Sequence, residues 1–148
     1  MRSKQTNFLQ GVILLAAIIY ILNGALYYFS PLSFCWVFNL DISEEWLNVI
    51  PTNEFFFLVF TISRAFAALL FSIGISMVLP LFDPLRYRGL VYYSGVLFPF
   101  LASVIFLFAS IKNMSVPIII LGFTYFTIFA LTLTAMLITR KSAQSGIE

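Results

Sequence analysis

The chain contains no histidine, one cysteine and few charged residues. Without histidine, it lacks the commonest general base and the imidazole ligand of most zinc and haem sites. Cys35 is alone, so no disulfide can form within the chain. Charged residues make up 9% of the sequence, whereas a soluble domain has roughly 25%. Together with a mean hydropathy of +1.03, this deficit indicates that lipid surrounds most of the protein.

The sequence also lacks the common catalytic motifs. There is no C-x-x-C, H-E-x-x-H, glycine-rich phosphate loop or G-x-S-x-G. Every acidic residue falls outside the long apolar stretches, which argues against a proton-coupled exporter, since such a protein needs a carboxylate within the membrane. We therefore expect no catalytic residues, no metal and no cofactor, and we do not expect an enzyme.

Four apolar stretches are long enough to cross a bilayer. A spanning helix needs about 20 predominantly apolar residues, and the stretches cover residues 8–29, 55–81, 89–111 and 116–139. The first is too long for the apolar part of a signal peptide and is followed by no small-residue cleavage site, so we expect it to be retained. The sequence predicts an all-α integral membrane protein, with one domain over residues 1–148 folded as an up-down four-helix bundle.

Basic residues mark one side of this bundle. They stand before the first span, between the second and third, and after the fourth: Arg2, Lys4, Arg86, Arg88, Arg140 and Lys141. The other side carries Lys112 and the acidic residues Asp41, Glu44, Glu45 and Glu54. Because cytoplasmic loops are enriched in lysine and arginine, both termini are predicted to be cytoplasmic.

Local signals predict how the helices begin, end and bend. Asp83 and Pro84 predict a tight inner turn, and Ser115 is placed to cap the fourth helix. Short turns favour antiparallel packing of the second, third and fourth helices. Pro99 has no N–H to donate to the Gly95 carbonyl, so we expect a kink in the third helix.

The connection over residues 30–54 is the longest and is rich in aromatic residues. We expect it to lie on the outer membrane surface, with a short interfacial helix that begins at Asp41 or Ser43 and ends at Ile50. This loop either caps the bundle, which is the interpretation we prefer, or forms a lid over an outward-facing pocket.

One charged residue falls inside a span. Arg64 lies about 13 Å along the helix from Phe55, near the predicted bilayer centre. An arginine there costs roughly 2.5–3.5 kcal/mol, so we expect its guanidinium to face the bundle interior. It shares one helix face with small or polar residues that would allow a neighbouring helix to approach. These residues are Thr61, Ala68, Ser72 and Ser76.

The other spans offer neutral polar groups at the predicted depth of Arg64, but no carboxylate. An arginine solvated only by neutral oxygens keeps its charge, so it either locks helix packing or binds an anion such as a lipid phosphate or a fatty-acid carboxylate. Both readings stay open. The predicted ligand-binding residues are Arg64, Tyr20, Asn23, Thr61, Ser103, Thr124 and Tyr125.

Three short stretches resemble a known group of proteins. They are Y-F-S-P over residues 28–31, F-N-L-D over residues 38–41, and S-R-A-F-A-A-L-L-F-S-I-G over residues 63–74. Their order and spacing resemble the small DoxX-like four-helix membrane proteins, most of which have no known function. The resemblance implies a bacterial inner-membrane location, an accessory role and a shared intramembrane arginine at position 64. It implies no reaction.

The sequence leaves three functions open. The first is a small non-enzymatic membrane accessory or interaction protein with a buried arginine. The second is a protein that binds or transports a lipid or hydrophobic anion in a pocket between Arg64 and the outer loop. The third, an enzyme acting on an isoprenoid- or sterol-like substrate, has the least support, because no acidic residue or histidine lies in a span. Expected partners are the bilayer and a bound lipid or apolar anion; the scattered basic residues argue against nucleic acid, and no protein partner is identified.

Overall fold

A computed structural model describes residues 4–38, 53–113 and 115–145, and these residues form helices and no strand. The helices are α1 (Lys4–Phe29), α2 (Pro31–Val37), α3 (Glu54–Ser76), α4 (Val78–Phe82), α5 (Arg88–Tyr92), α6 (Phe98–Asn113) and α7 (Val116–Ser145), and a π-helical turn (Tyr93–Leu97) joins α5 to α6. The interfacial helix predicted at residues 41–50 lies outside the described residues.

Four segments are long and apolar enough to cross a membrane: Gln5–Phe29, Glu54–Phe82, Arg88–Ile111 and Val116–Arg140. The prediction of four spans is therefore confirmed, and the fold is that of a multi-pass membrane protein. We call the end of the bundle with Lys4 and Ser145 the termini end, and the end with Phe29 and Glu54 the loop end.

Helix α1 is the central element, because it packs against both α3 and α7, while α6 packs against α7. The backbones of α1 and α3 approach closely because the glycines at their contact have no side chain to separate them. A Cβ added to Gly24 would lie 2.7 Å from the backbone nitrogen of Phe71, and one added to Gly74 would lie 2.9 Å from that of Ile21. Small residues allow this approach between membrane helices.

The main neighbour of α3 is thus α1, and not the helix that follows it in sequence. The closest described ring contact between α3 and α6 joins Phe66 to Phe106, whose centroids are 6.4 Å apart. The short inner turn brings the two helices to the same end of the bundle without packing them along their length. That turn forms as predicted, with Asp83 Oδ1 accepting the backbone N–H of Arg86 at 3.1 Å.

A π-helical turn with hydrogen bonds five residues apart lies just before Pro99. The backbone N–H of Phe98 donates to the carbonyl of Tyr93, five residues back. With the same offset, an N–H at position 99 would meet the Ser94 carbonyl, and the predicted loss of the bond to Gly95 stays a prediction. The Tyr20 hydroxyl of α1 donates to this Ser94 carbonyl at 2.8 Å. The missing helical bond is thereby replaced by one between two spans.

At the loop end, α2 turns back across the bundle and contacts α1 and α3. The Ser115 hydroxyl donates to the carbonyl of Val37 in α2 at 3.0 Å. It therefore fixes α2 to the start of α7, and the predicted role as a side-chain cap of α7 is wrong. Asn53 supplies a side-chain cap to α3, accepting the N–H groups of Phe55 and Phe56 at 3.1 and 3.4 Å.

Candidate functional site

Arg64 points away from the bundle. Its side chain is exposed, and the guanidinium carbon lies 4.4 Å from the ring centroid of Phe60 and 5.6 Å from that of Tyr28. Both distances are within the range of cation–π attraction. The prediction that this guanidinium faces the bundle interior is therefore wrong.

The level of Arg64 relative to α1 follows from the length of α3, which extends beyond the end of α1. The segment Glu54–Phe82 has 29 residues, which is about 43 Å against a hydrocarbon core of about 30 Å. Gly24 lies opposite Phe71 in the antiparallel contact. Because the two helices are antiparallel, residues after Gly24 in α1 face residues before Phe71 in α3. Tyr28, in the last turn of α1, accordingly lies beside Arg64. Arg64 therefore lies at the level of the last turn of α1, and its depth in the bilayer stays a prediction.

The two faces of α3 are reversed relative to the prediction. The face that carries Arg64 is exposed at Thr61, Ala68 and Ser72 and partly buried at Ser76. The opposite face forms the contact with the bundle and is fully buried at Ala67 and Leu70. A face rich in small residues exists on each side of this helix. The side with the arginine is the one that faces outward.

Tyr20 and Tyr125 do meet, but in an aromatic core that excludes Arg64. Their rings stack with centroids 5.9 Å apart, and Tyr125 also stacks on Phe106 at 5.6 Å. Phe98 packs edge-on against both tyrosines, at 5.7 and 6.1 Å. This cluster buries large apolar surfaces from α1, α6 and α7 in favourable offset geometry. These tyrosines therefore belong to the packing core of the bundle.

The remaining predicted site residues do not come together around an arginine. The hydroxyls of Ser103, Thr61 and Thr124 each donate at 2.8 Å to a carbonyl of their own helix. Ser103 is buried, Asn23 and Thr124 are partly buried, and Thr61 is exposed. Among the described residues, no polar layer is therefore centred on Arg64. A ligand-binding role for these residues stays a prediction.

Two buried polar atoms among the described residues have no hydrogen-bond partner, the Tyr125 hydroxyl and Thr132 Oγ1. Thr132 packs against the π-helical turn, since a Cβ on Gly95 would lie 2.6 Å from its Cγ2. Leaving a buried hydroxyl without a partner costs about 1–3 kcal/mol.

Beside Arg64, a shallow groove of about 230 Å³ runs between α1 and α3. Tyr28, whose ring contacts Arg64, lies at one end of this groove. Small side chains from both helices, Ala25, Ala68 and Ser72, form much of its floor. The groove opens on the outer surface of the bundle and not into its interior. The predicted pocket between Arg64 and the outer loop falls largely on residues 39–52, outside the described chain.

A larger cavity, of about 720 Å³, lies at the termini end, where sequence reasoning placed no site. Its lining includes Arg88 from α5 and Arg140 from α7. Both arginines are among the basic residues that predict the orientation of the bundle, and their positive charge is the sequence signal for this cavity. Their convergence depends on the packing of the spans, so it could not be read from their separation along the chain.

These features define a multi-pass helical membrane protein with a packed aromatic core, an outward-facing arginine and a basic cavity at one end. Comparison with protein-family models, with curated proteins and with solved structures finds no match.

Proposed function

We propose that this chain is a small non-enzymatic accessory protein that binds another membrane protein side by side, through the outward face of α3. This face, which we call the α3 outer face, consists of Thr61, Arg64, Ala65, Ala68 and Ser72. The observation that carries the proposal is the exposure of all five side chains on one surface of a spanning helix.

The chemistry of the α3 outer face suits a helix partner. Small residues at positions 61, 65, 68 and 72 let a second helix approach closely, which stabilises helix pairs in lipid through van der Waals contact. Arg64 at the edge of this strip adds a donor-rich, permanently charged group that selects a partner with acidic or carbonyl oxygens. The opposite face of α3 is already used by α1, so the outer face is the one available for association.

Photocrosslinking in native membranes tests this proposal. A photoreactive amino acid at Ala68 should give a discrete crosslinked protein band, whereas the same residue at Ile105, which is 65% exposed on α6, should give lipid adducts only. Ala68→Leu, with the photoreactive residue moved to Ser72, should weaken the band. Equal protein crosslinking at positions 68 and 105 would contradict the proposal.

The location follows from two arguments made on the sequence. The resemblance to DoxX-like proteins implies the bacterial inner membrane, and the distribution of basic residues implies cytoplasmic termini. In a Cys35→Ser background, a membrane-impermeant maleimide applied to intact cells should label Asn53→Cys but not Ser142→Cys. Labelling of the second variant alone would reverse the orientation.

Binding of a lipid or hydrophobic anion is the second candidate function, favoured by the level of Arg64 at the end of α1. Lipid phosphates lie near that level, and a guanidinium flanked by two aromatic rings can bind them. Phosphatidylglycerol should raise the melting temperature of the parent and of Arg64→Lys by more than it raises that of Arg64→Leu. A matching response in all three proteins would exclude Arg64 as an anion site.

A further inference from the structure

The cavity at the termini end combines an apolar wall with two arginines. It is bounded by the start of α1, the turn after α4, helix α5 and the last turns of α7. The apolar side chains of its wall are Leu9, Pro84, Leu85, Val91, Leu133, Met136 and Leu137. Arg88 and Arg140 complete this lining, with Tyr92 and Thr139 as neutral polar members. None of the described residues that line the cavity is acidic.

This cavity lies at the ends of the membrane-length segments. Arg88 begins one membrane-length segment and Arg140 ends another. The hydrogen bond from Gln10 Nε2 to the Leu81 carbonyl, at 2.6 Å, places the start of α1 beside the end of α4. Apolar side chains such as Leu133 lie on the membrane side of the two arginines. The cavity therefore has a charged end at the two arginines and an apolar wall beyond them. This arrangement matches the charged phosphate and the apolar acyl chain of a phospholipid.

The two arginines are available for an anion. Both side chains are exposed, and within the described part of the chain neither forms a salt bridge. Asp83, the described acidic residue at this end, uses Oδ1 to accept the N–H of Arg86 in the inner turn. Guanidinium groups bind phosphate oxygens through paired, charge-assisted hydrogen bonds. Two unpaired guanidinium groups on one cavity therefore favour a phosphate group.

We propose that this cavity binds an anionic membrane phospholipid, with the head-group phosphate between Arg88 and Arg140 and an acyl chain along the apolar wall. A volume of about 720 Å³ falls within the range of about 300–1,000 Å³ typical of ligand sites. Basic pockets between spanning helices are a known mode of anionic-lipid binding. The apolar wall selects a lipid over a free phosphate ion, which would leave that surface unfilled. The site is at the opposite end of the bundle from Arg64 and does not depend on the proposed role of the α3 outer face.

Native mass spectrometry of the full chain in detergent tests the site. Phosphatidylglycerol should remain bound to the parent at least tenfold more than phosphatidylcholine. The double variant Arg88→Gln/Arg140→Gln should lose this preference, and its control Arg86→Gln should keep it within about twofold, because Arg86 is adjacent in the chain but does not line the cavity. An equal loss in the control would show a general charge effect and overturn the proposal.

Two further arms separate the remaining explanations. Leu133→Trp fills the apolar wall without changing any charge and should lower phosphatidylglycerol retention, whereas unchanged retention would overturn the placement of the acyl chain. It also serves as the test if the double variant does not fold. Inorganic phosphate should compete only weakly; full competition at equal concentration would identify a free-anion site instead of a lipid site. If Arg64→Gln lowered retention while Arg88→Gln/Arg140→Gln left it unchanged, the lipid would bind at the loop end and the proposal would fail.

Discussion

Removing the Tyr20 hydroxyl tests how the third span tolerates Pro99. In Tyr20→Phe, the ring can keep its stacking on Tyr125, but the Ser94 carbonyl loses the donor that lies 2.8 Å away. An unsatisfied buried carbonyl costs about 1–3 kcal/mol, while hydrogen bonds between membrane helices average about 0.6 kcal/mol with a maximum of about 1.7 kcal/mol. We therefore expect Tyr20→Phe to lower the free energy of unfolding by about 1 kcal/mol.

Reversible unfolding in mixed micelles with increasing dodecyl sulfate measures this change. Tyr92→Phe is the control, because Tyr92 is 52% exposed and should change stability little. Pro99→Ala restores a backbone N–H opposite Ser94, so Tyr20→Phe should cost less in that background than in the parent. The reasoning is refuted if Tyr20→Phe and Tyr92→Phe have equal effects, or if Pro99→Ala leaves the cost of Tyr20→Phe unchanged.

Two further predictions concern α1–α3 packing and the single cysteine. Gly74→Val should destabilise the protein by about 1–3 kcal/mol, as overpacking does, because a Cβ at this position meets the backbone of α1 at 2.9 Å. The control Gly11→Val should be nearly neutral in the same unfolding assay, since no atom lies within 4 Å of a Cβ added there. Equal effects of the two substitutions would contradict the close packing of α1 and α3. Burial raises the pKa of the Cys35 thiol, so less thiolate is present at pH 7. Maleimide should therefore react more slowly with Cys35 in the parent than with the cysteine of Asn53→Cys in a Cys35→Ser background. Equal rates would show that Cys35 is open to solvent.

Features set by length and composition could be predicted from the sequence. Four spans follow from four apolar stretches, because a bilayer requires a minimum length of apolar helix whatever the packing. The inner turn follows from Asp83, whose side chain caps a backbone N–H within the same turn. These signals are local, so they need no knowledge of which helices are neighbours.

The orientation of Arg64 and its level relative to α1 could not be predicted, for two physical reasons. Lipid-facing and helix-facing surfaces are both apolar, so composition does not show which small-residue face of α3 meets α1. The distance from Phe55 along α3 does not give the level of Arg64 relative to α1, because α3 continues beyond the end of α1. Only the register between Gly24 and Phe71 fixes that level.

Other interactions depend on residues far apart in the chain. Ser115 carries a common capping side chain, yet its hydroxyl binds Val37 in α2. Arg88 and Arg140 line one cavity only because the start of α5 lies beside the last turns of α7. Such contacts arise from the arrangement of the spans, which a single sequence does not contain.

The most direct test of the proposed outer face is the environment of position 64. A nitroxide spin label at Arg64→Cys, in a Cys35→Ser background reconstituted at high lipid dilution, reports its accessibility to oxygen and to a water-soluble nickel complex. The structure predicts that both reagents reach the label and that oxygen accessibility approaches that of a label at Ile105. A label reached by neither reagent would place position 64 inside the bundle and contradict the account.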